Sequence, residues 1–198
     1  MKKIELLITG VGGQGNILAS DIVSEVAIAA GYDVKKTDTL GMAQRGGSVV
    51  SNVRIARQVY SPLIKEGEVD VLLAFEKLEA ARWGHYLKPG GVAIVNNQAL
   101  PPLAVSLGSE QYPSDGRITE ILRQRTDRVY FVEGTRQARE LGNIRTLNMF
   151  MLGCVSRFLP FKISTWKDTI VQHLPAGVQQ INVTAFDRGR KEIQGVNL

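Results

Sequence analysis

The sequence predicts an α/β protein, a doubly wound and mostly parallel sheet followed by a helical C-terminal third. Three observations predict it. Short apolar runs alternate with segments of helical period along the first two thirds of the chain, the pattern of βαβ units with right-handed crossovers. The strongest of these runs are nearly continuous, as strands covered on both faces require. Glycine-rich loops follow the first two runs, at the strand ends where open α/β sheets bind ligands.

Ile4 to Thr9 reads as a buried strand that ends at Gly10. Gln14 to Ala30 reads as a helix, with Leu18, Ile22, Val26 and Ala29 on one stripe and Gly31 as the glycine that ends it. Val34 to Leu40 is a second strand and Ser48 to Ile55 a third, separated by a glycine-rich loop. Val69 to Phe75 is again a buried strand; Glu76 to Leu87 is a helix that stops before Pro89-Gly90-Gly91, and Gly91 to Val95 is a short strand. Asn96 to Gly116 reads as irregular, with three prolines and two glycines. Ile118 to Arg125 is a helix and Val129 to Val132 a strand. Four helices follow: Thr135 to Leu141, Ile144 to Phe158, Thr165 to Leu174, and Val178 to about Ile193. Thr165 with Asp168 has the spacing of a capping box. No repeat, low-complexity tract or linker divides the chain, so residues 1–198 read as one Rossmann-like domain.

At 198 residues, with 44% hydrophobic and 22% charged residues, the chain has the composition of one sizeable globular core. No stretch approaches the roughly 18 apolar residues of a membrane helix. The apolar run after Met1-Lys2-Lys3 is too short for a signal peptide, and a cytoplasmic protein is expected. The one cysteine, Cys154, excludes both an internal disulfide and a four-thiolate iron–sulfur site, so any cluster must sit on another chain. The net charge of +5 comes without a Lys/Arg run or RNA-binding signature. Nucleic acid is therefore not expected as a partner; scattered solvated charge, or attraction to anionic cofactors and acidic carriers, accounts for it.

Two motifs carry the candidate chemistry. Gly10-Val11-Gly12-Gly13-Gln14-Gly15 sits between a strand and a helix. Its glycines permit a tight turn and close approach, and the helix start offers free N–H groups and about half a positive charge to an anion. Contact with a phosphate or cofactor, contact with a partner subunit, and strand–helix packing alone are all open readings. A Walker loop is excluded, because Asn16-Ile17 follows Gly15. Asp38, near the end of the second strand, stands where a ribose-binding acid would, which keeps an NAD(P)- or flavin-binding enzyme as an alternative. The second motif is Gly41-Met42-Ala43-Gln44-Arg45-Gly46-Gly47-Ser48. Arg45 offers a planar fork for carboxylate or phosphate, Gln44 can donate and accept, and Gly46 lets backbone N–H groups approach the same guest. A solvated surface loop is the plainer alternative.

The remaining reactive side chains have plain readings. Cys154, among Met151, Leu152, Val155 and Phe158, reads as a buried core thiol. His85 and His173 lack companions at ligand spacing. Trp83 and Trp166 read as core or interface aromatics, and Met149 to Leu159 as core or subunit interface. There is no Gly-x-Ser-x-Gly elbow, and no catalytic residue is assigned.

Taken together, the Gly-x-Gly-Gly-Gln-Gly turn at the N-terminus and Gly-Met-Ala-Gln-Arg-Gly-Gly-Ser-Val after it resemble the gamma domain of the 2-oxo-acid:ferredoxin oxidoreductases, most closely its indolepyruvate branch. Gly90-Gly91 with Asn96, the segment Asn143 to Gly153, and Asn182, Phe186 and Gly189 in the last helix resemble the family too, so the likeness spans nearly the whole chain. The resemblance implies a small subunit, inactive alone, of an enzyme that oxidatively decarboxylates a 2-oxo acid to acyl-CoA and CO2. It implies that thiamine diphosphate and [4Fe-4S] clusters lie on a large alpha-type partner, that CoA is a co-substrate, and that ferredoxin takes the electrons. It leaves open a ligand-free assembly subunit and homo-oligomers of the isolated chain. Mapped onto motif positions, it makes Gly10, Gly12, Gly13, Gln14, Gly15, Gln44, Arg45 and Gly46 candidates for contact with a cofactor, CoA or the partner.

Overall fold

The computed structural model describes residues 3–40 and 47–193. Among them a six-stranded sheet runs in the order β2-β3-β1-β4-β5-β6, with β1 Ile4–Val11, β2 Asp33–Leu40, β3 Ser48–Ala56, β4 Val69–Ala74, β5 Leu87–Asn96 and β6 Val129–Val132. β1, β4, β5 and β6 pair in parallel. β3 alone runs the other way, antiparallel to both β1 and β2, so the sheet is mostly parallel as expected.

The hairpin has a simple cause. Residues 41–47 are too few for the dozen or more that a parallel crossover needs, so the chain returns antiparallel from β2. The returning strand occupies the place beside β1 that β2 would hold in a dinucleotide-binding fold. Thr9 then pairs with Val50 on one side and Ala74 on the other.

The sheet is wound on both faces. Successive β1 side chains alternate between two cores: Leu6 and Ile8 join the larger, Leu7 the smaller. On the larger lie α1 (Asn16–Ala29), α6 (Leu147–Val155), α7 (Ile163–His173) and α8 (Ala176–Glu192). α2 (Lys77–Trp83) and α4 (Asp115–Arg123) cover the other side. The short helix α3 (Leu103–Ser106) and α5 (Gly134–Glu140) complete the chain.

Several local expectations change. The stripe of α1 is Ala19, Ile22, Val23, Val26 and Ala27; Leu18 packs beside it half-buried, and Ala29 is exposed. The capping box at Thr165 is absent: α7 begins at Ile163, so Thr165 and Asp168 already lie inside the helix, and the preceding Lys162 makes no side-chain cap. The helix expected from Ile144 opens with a 3-10 turn over Ile144–Thr146, capped by the Asn143 side chain. Every residue of α6 is buried within this chain, so Leu147–Val155 is core rather than subunit interface. α6 packs most extensively on α8 through two glycines. A Cβ on Gly153 would lie 2.1 Å from the Phe186 carbonyl oxygen, and one on Gly189 1.9 Å from that of Phe150.

The irregular stretch after β5 carries α3 and is tied down by the buried carboxylate of Glu76. One Glu76 oxygen accepts from the Tyr112 hydroxyl and from Leu100 N–H (3.0 Å). The other accepts from Glu79 N–H (2.9 Å) and caps α2.

Candidate functional site: a basic groove beside the glycine turn

The turn after β1 is held by the amide of Gln14. Its Oε1 accepts from Val11 N–H (2.7 Å), and its Nε2 donates to the Phe75 carbonyl at the end of β4 (3.1 Å). A Cβ on Gly10 would meet Gln14 Oε1 at 2.7 Å and the Asn16 amide at 2.8 Å, so glycine there leaves both amides in place. Gly12 N–H donates to Gly47 O (3.0 Å), which joins the first motif to the end of the second. Gly13 and Gly15 have φ of +96° and +84°, the left-handed region that favours glycine. Gly15 caps α1 without a side-chain acceptor. Among the described residues, the Gly13 and Gly15 amides find no backbone acceptor.

Gly13 and Gln14 lie where two depressions meet at the carboxyl ends of β1, β4 and β5. One, of about 250 Å³, is lined also by Gln98, Leu100, Thr135, Arg139 and Arg145. The other, of about 460 Å³, adds Gly15, Asn143, Asn148, Asn182 and the apolar Leu18, Leu174, Pro175 and Val178. Arg145 belongs to both. Arg139 and Arg145 are exposed and do not figure among the ion pairs of the described residues. The floor is rigid: Asn96 Nδ2 donates to Phe75 O (3.0 Å) and Thr135 Oγ1 (2.9 Å), and its Oδ1 accepts from Thr135 N–H (3.1 Å). The foot of β3 is fixed by buried Glu79, which accepts from the Ser48 hydroxyl and from Arg82 Nη1 (2.7 Å).

Of the candidates, Gly13, Gln14 and Gly15 line the groove, while Gly10 and Gly12 shape the turn behind it. Gln14 contributes its position more than its amide, which is already bonded at both ends. Gln44, Arg45 and Gly46 lie outside the described residues; the flanking Gly47 is held against Gly12. Arg139, Arg145, Asn148 and Asn182 emerge as site residues only in three dimensions. Asn148 and Asn182, buried polar residues in otherwise packed helices, were the available signal.

Asp38 does not play the ribose-binding part. The inserted β3 sets β2 two strands from β1, about 10 Å away at normal strand spacing. The Asp38 carboxylate is also taken up by Lys36 Nζ (2.9 Å) and by the Ser51 and Ser20 hydroxyls (2.5 and 3.5 Å). Cys154 is buried, its Sγ 3.3 Å from Gly189 O, and burial pushes its thiol well above the ordinary value. Trp166 is core, against Phe161 and Phe186. Among the described residues no helix is long and apolar enough to cross a membrane.

The family model described as pyruvate ferredoxin/flavodoxin oxidoreductase matches residues 5–192. The chain belongs to that family. It is 37% identical over 194 residues to indolepyruvate oxidoreductase subunit IorB of Pyrococcus horikoshii, covering 96% of each chain. It is 27% identical over 193 residues to 2-oxoglutarate synthase subunit KorC of Methanothermobacter thermautotrophicus, over 96% of this chain and 94% of that one. The fold matches the gamma subunit of keto/oxoacid ferredoxin oxidoreductase from Geobacter sulfurreducens, with a TM-score of 0.70 at 22% identity, over 96% of this chain and 97% of that one. It also matches 2-oxoglutarate:ferredoxin oxidoreductase from Magnetococcus marinus, solved with 2-oxoglutarate, coenzyme A and succinyl-CoA bound, with a TM-score of 0.76 at 20% identity. That match covers all of this chain and 32% of the other. In this oxidoreductase family member, then, the glycine turn stands at the end of the central strand, beside a groove carrying two guanidinium groups.

Proposed function

We propose that this chain is the small subunit of an indolepyruvate:ferredoxin oxidoreductase, and that its glycine turn, Arg139 and Arg145 form an anion-binding wall of the active chamber. The observation that carries the second part is the convergence of the two exposed arginines with Gly13 and Gly15 on two adjoining depressions. The near full-length likeness to IorB subunits supports the first part.

The groove's donors suit the phosphates of CoA: guanidinium forks bond phosphate oxygens in pairs, and a left-handed glycine cap presents backbone N–H groups to the same charge. The asparagine-lined depression beside it offers amide donors and acceptors over an apolar floor, which suits the uncharged parts of such a ligand. When bound, CoA supplies the thiol that accepts the acyl group. The chain's own residues hold that ligand, orient it and exclude water from the chamber. Gln44, Arg45 and Gly46 stay candidates for contact with the same ligand in this reading.

Thiamine diphosphate and the [4Fe-4S] clusters are assigned to a large alpha-type partner. A four-thiolate cluster exceeds the single cysteine of the chain. Ferredoxin is reached through that partner.

An anaerobic pull-down from the native host tests the assignment. A stoichiometric large chain should co-purify with iron and thiamine, and the complex should reduce viologen fastest with indolepyruvate among indolepyruvate, pyruvate and 2-oxoglutarate. A complex that prefers another 2-oxo acid would overturn the substrate, and a chain that purifies without a cluster-bearing partner would overturn the subunit role.

A further inference from the structure

The opposite end of the sheet holds a second concentration of positive charge. At the amino ends of β4 and β5, under the end of α6, a cavity of about 300 Å³ is lined by Asp70, Lys88, Gly90, Arg128, Arg157 and Phe158. The glycine turn lies at the far ends of the same strands, roughly 20 Å away for a six-residue strand, so the two sites are separate.

The acid in this cavity is already committed. Asp70 Oδ1 pairs with Lys88 Nζ, and its Oδ2 accepts from Glu5 N–H (2.7 Å). Arg128 and Arg157 are not among the paired arginines of the described residues. Arg128 lies over the Phe158 ring, its Cζ 5.6 Å from the centroid, a packing that orients the guanidinium and leaves its N–H edge available. The Nε of Arg157 is buried without an acceptor, and a buried unsatisfied donor is costly. A third cation stands behind it. Arg190 donates to Ser156 Oγ (2.7 Å), and burial together with the nearby Arg157 charge holds Arg190 below the usual guanidinium range.

The end of α6 does not account for this charge. Its last turn is already closed by the N–H groups of Ser156, Arg157 and Phe158, which donate to Leu152, Cys154 and Val155 carbonyls (2.9, 3.3 and 2.9 Å). The half charge of a helix end balances only part of one cation. An acceptor with several oxygens, small enough for the cavity, would meet the guanidinium groups of Arg128 and Arg157 that line it and offset the charge of Arg190 behind them.

We infer that this cavity is a second oxyanion site, which takes a phosphate group through Arg128 and Arg157. It serves a ligand distinct from the one at the glycine turn. The source is either free phosphate or the phosphate ester of a small metabolite.

The test uses the full chain labelled with 15N-arginine, titrated with inorganic phosphate and separately with glycerol phosphate at constant ionic strength. The Nε–H resonance that vanishes in Arg157→Lys should shift saturably in the native chain. Arg128→Ala, which removes a partly exposed group and should leave the fold intact, should weaken binding about ten-fold. Arg117→Ala on α4 should not change it. Tighter binding of the ester assigns an organic phosphate, and tighter binding of the free ion assigns phosphate itself. Absence of a saturable shift at Arg157, or an affinity unchanged in Arg128→Ala, would overturn the site.

Discussion

At the scale of single residues, the turn and the groove were unequally legible. The glycine turn could be read because three of its four glycines answer a local demand: Gly13 and Gly15 have positive φ, and a Cβ on Gly10 would press on the Gln14 and Asn16 amides. Arg139 and Arg145 could not, because an arginine on a helix surface reads as solvated charge until the fold carries it beside a turn far back in the chain. The same holds for Glu76, whose buried carboxylate becomes the anchor of the α3 region only when Tyr112 and Leu100 reach it. Burial first, and the hydrogen bond to Glu76 second, raise the Tyr112 phenol above its ordinary value. Tyr112→Phe should therefore destabilise the chain by about 1–3 kcal/mol at neutral pH, because Glu76 loses a donor. A group whose folded pKa is raised contributes fully below its unfolded pKa, about 10 for tyrosine, and loses that contribution as pH climbs beyond. Urea unfolding of both proteins should show a stability gap that is constant up to about pH 10 and narrows above it. A gap that widened above pH 10 would contradict this role.

Among the elements, the apolar runs gave strands β1, β4 and β6 nearly to the residue; β1 and β4 are buried strands, whose continuous apolar pattern is unmistakable, and β6 is a short apolar edge strand. What the runs did not reveal was partner and direction. β2 reads Asp-Val-Lys-Lys-Thr-Asp-Thr-Leu, a polar alternation that belongs to an edge strand, and its edge position follows from the hairpin that displaces it from β1. The alternative that rested on Asp38 falls for the same reason: its place in the sequence fits a ribose acid, but its place in the sheet does not. Helix starts were less visible still, because α7 and α8 begin without side-chain caps and are held by packing. Packing is also where the last third is most sensitive. Gly153→Ala would drive a methyl group into the α8 backbone at Phe186 and Arg190. The substitution should cost about 3 kcal/mol, at the upper end for overpacking, measured as a lower urea midpoint. An unchanged midpoint would mean that α6 and α8 do not cross at this glycine.

For the molecule as a whole, the sheet topology decides where chemistry can happen. Four parallel strands direct their carboxyl ends to one edge, and the glycine turn, the Asn96 brace and the α5–α6 connection all gather there. This chain carries one cysteine and an open, basic groove, and in the proposed reading it completes a chamber whose redox centres lie on a partner. In the proposed reading the groove, through Arg145, holds the CoA phosphates in the assembled oxidoreductase. That claim is tested most directly by steady-state kinetics of the complex reconstituted with Arg145→Ala. The account predicts a KM for CoA raised about ten-fold, the cost of one charged hydrogen bond of roughly 1.5 kcal/mol, with the KM for indolepyruvate unchanged. An unaltered KM for CoA, in a variant that folds and assembles normally, would contradict it.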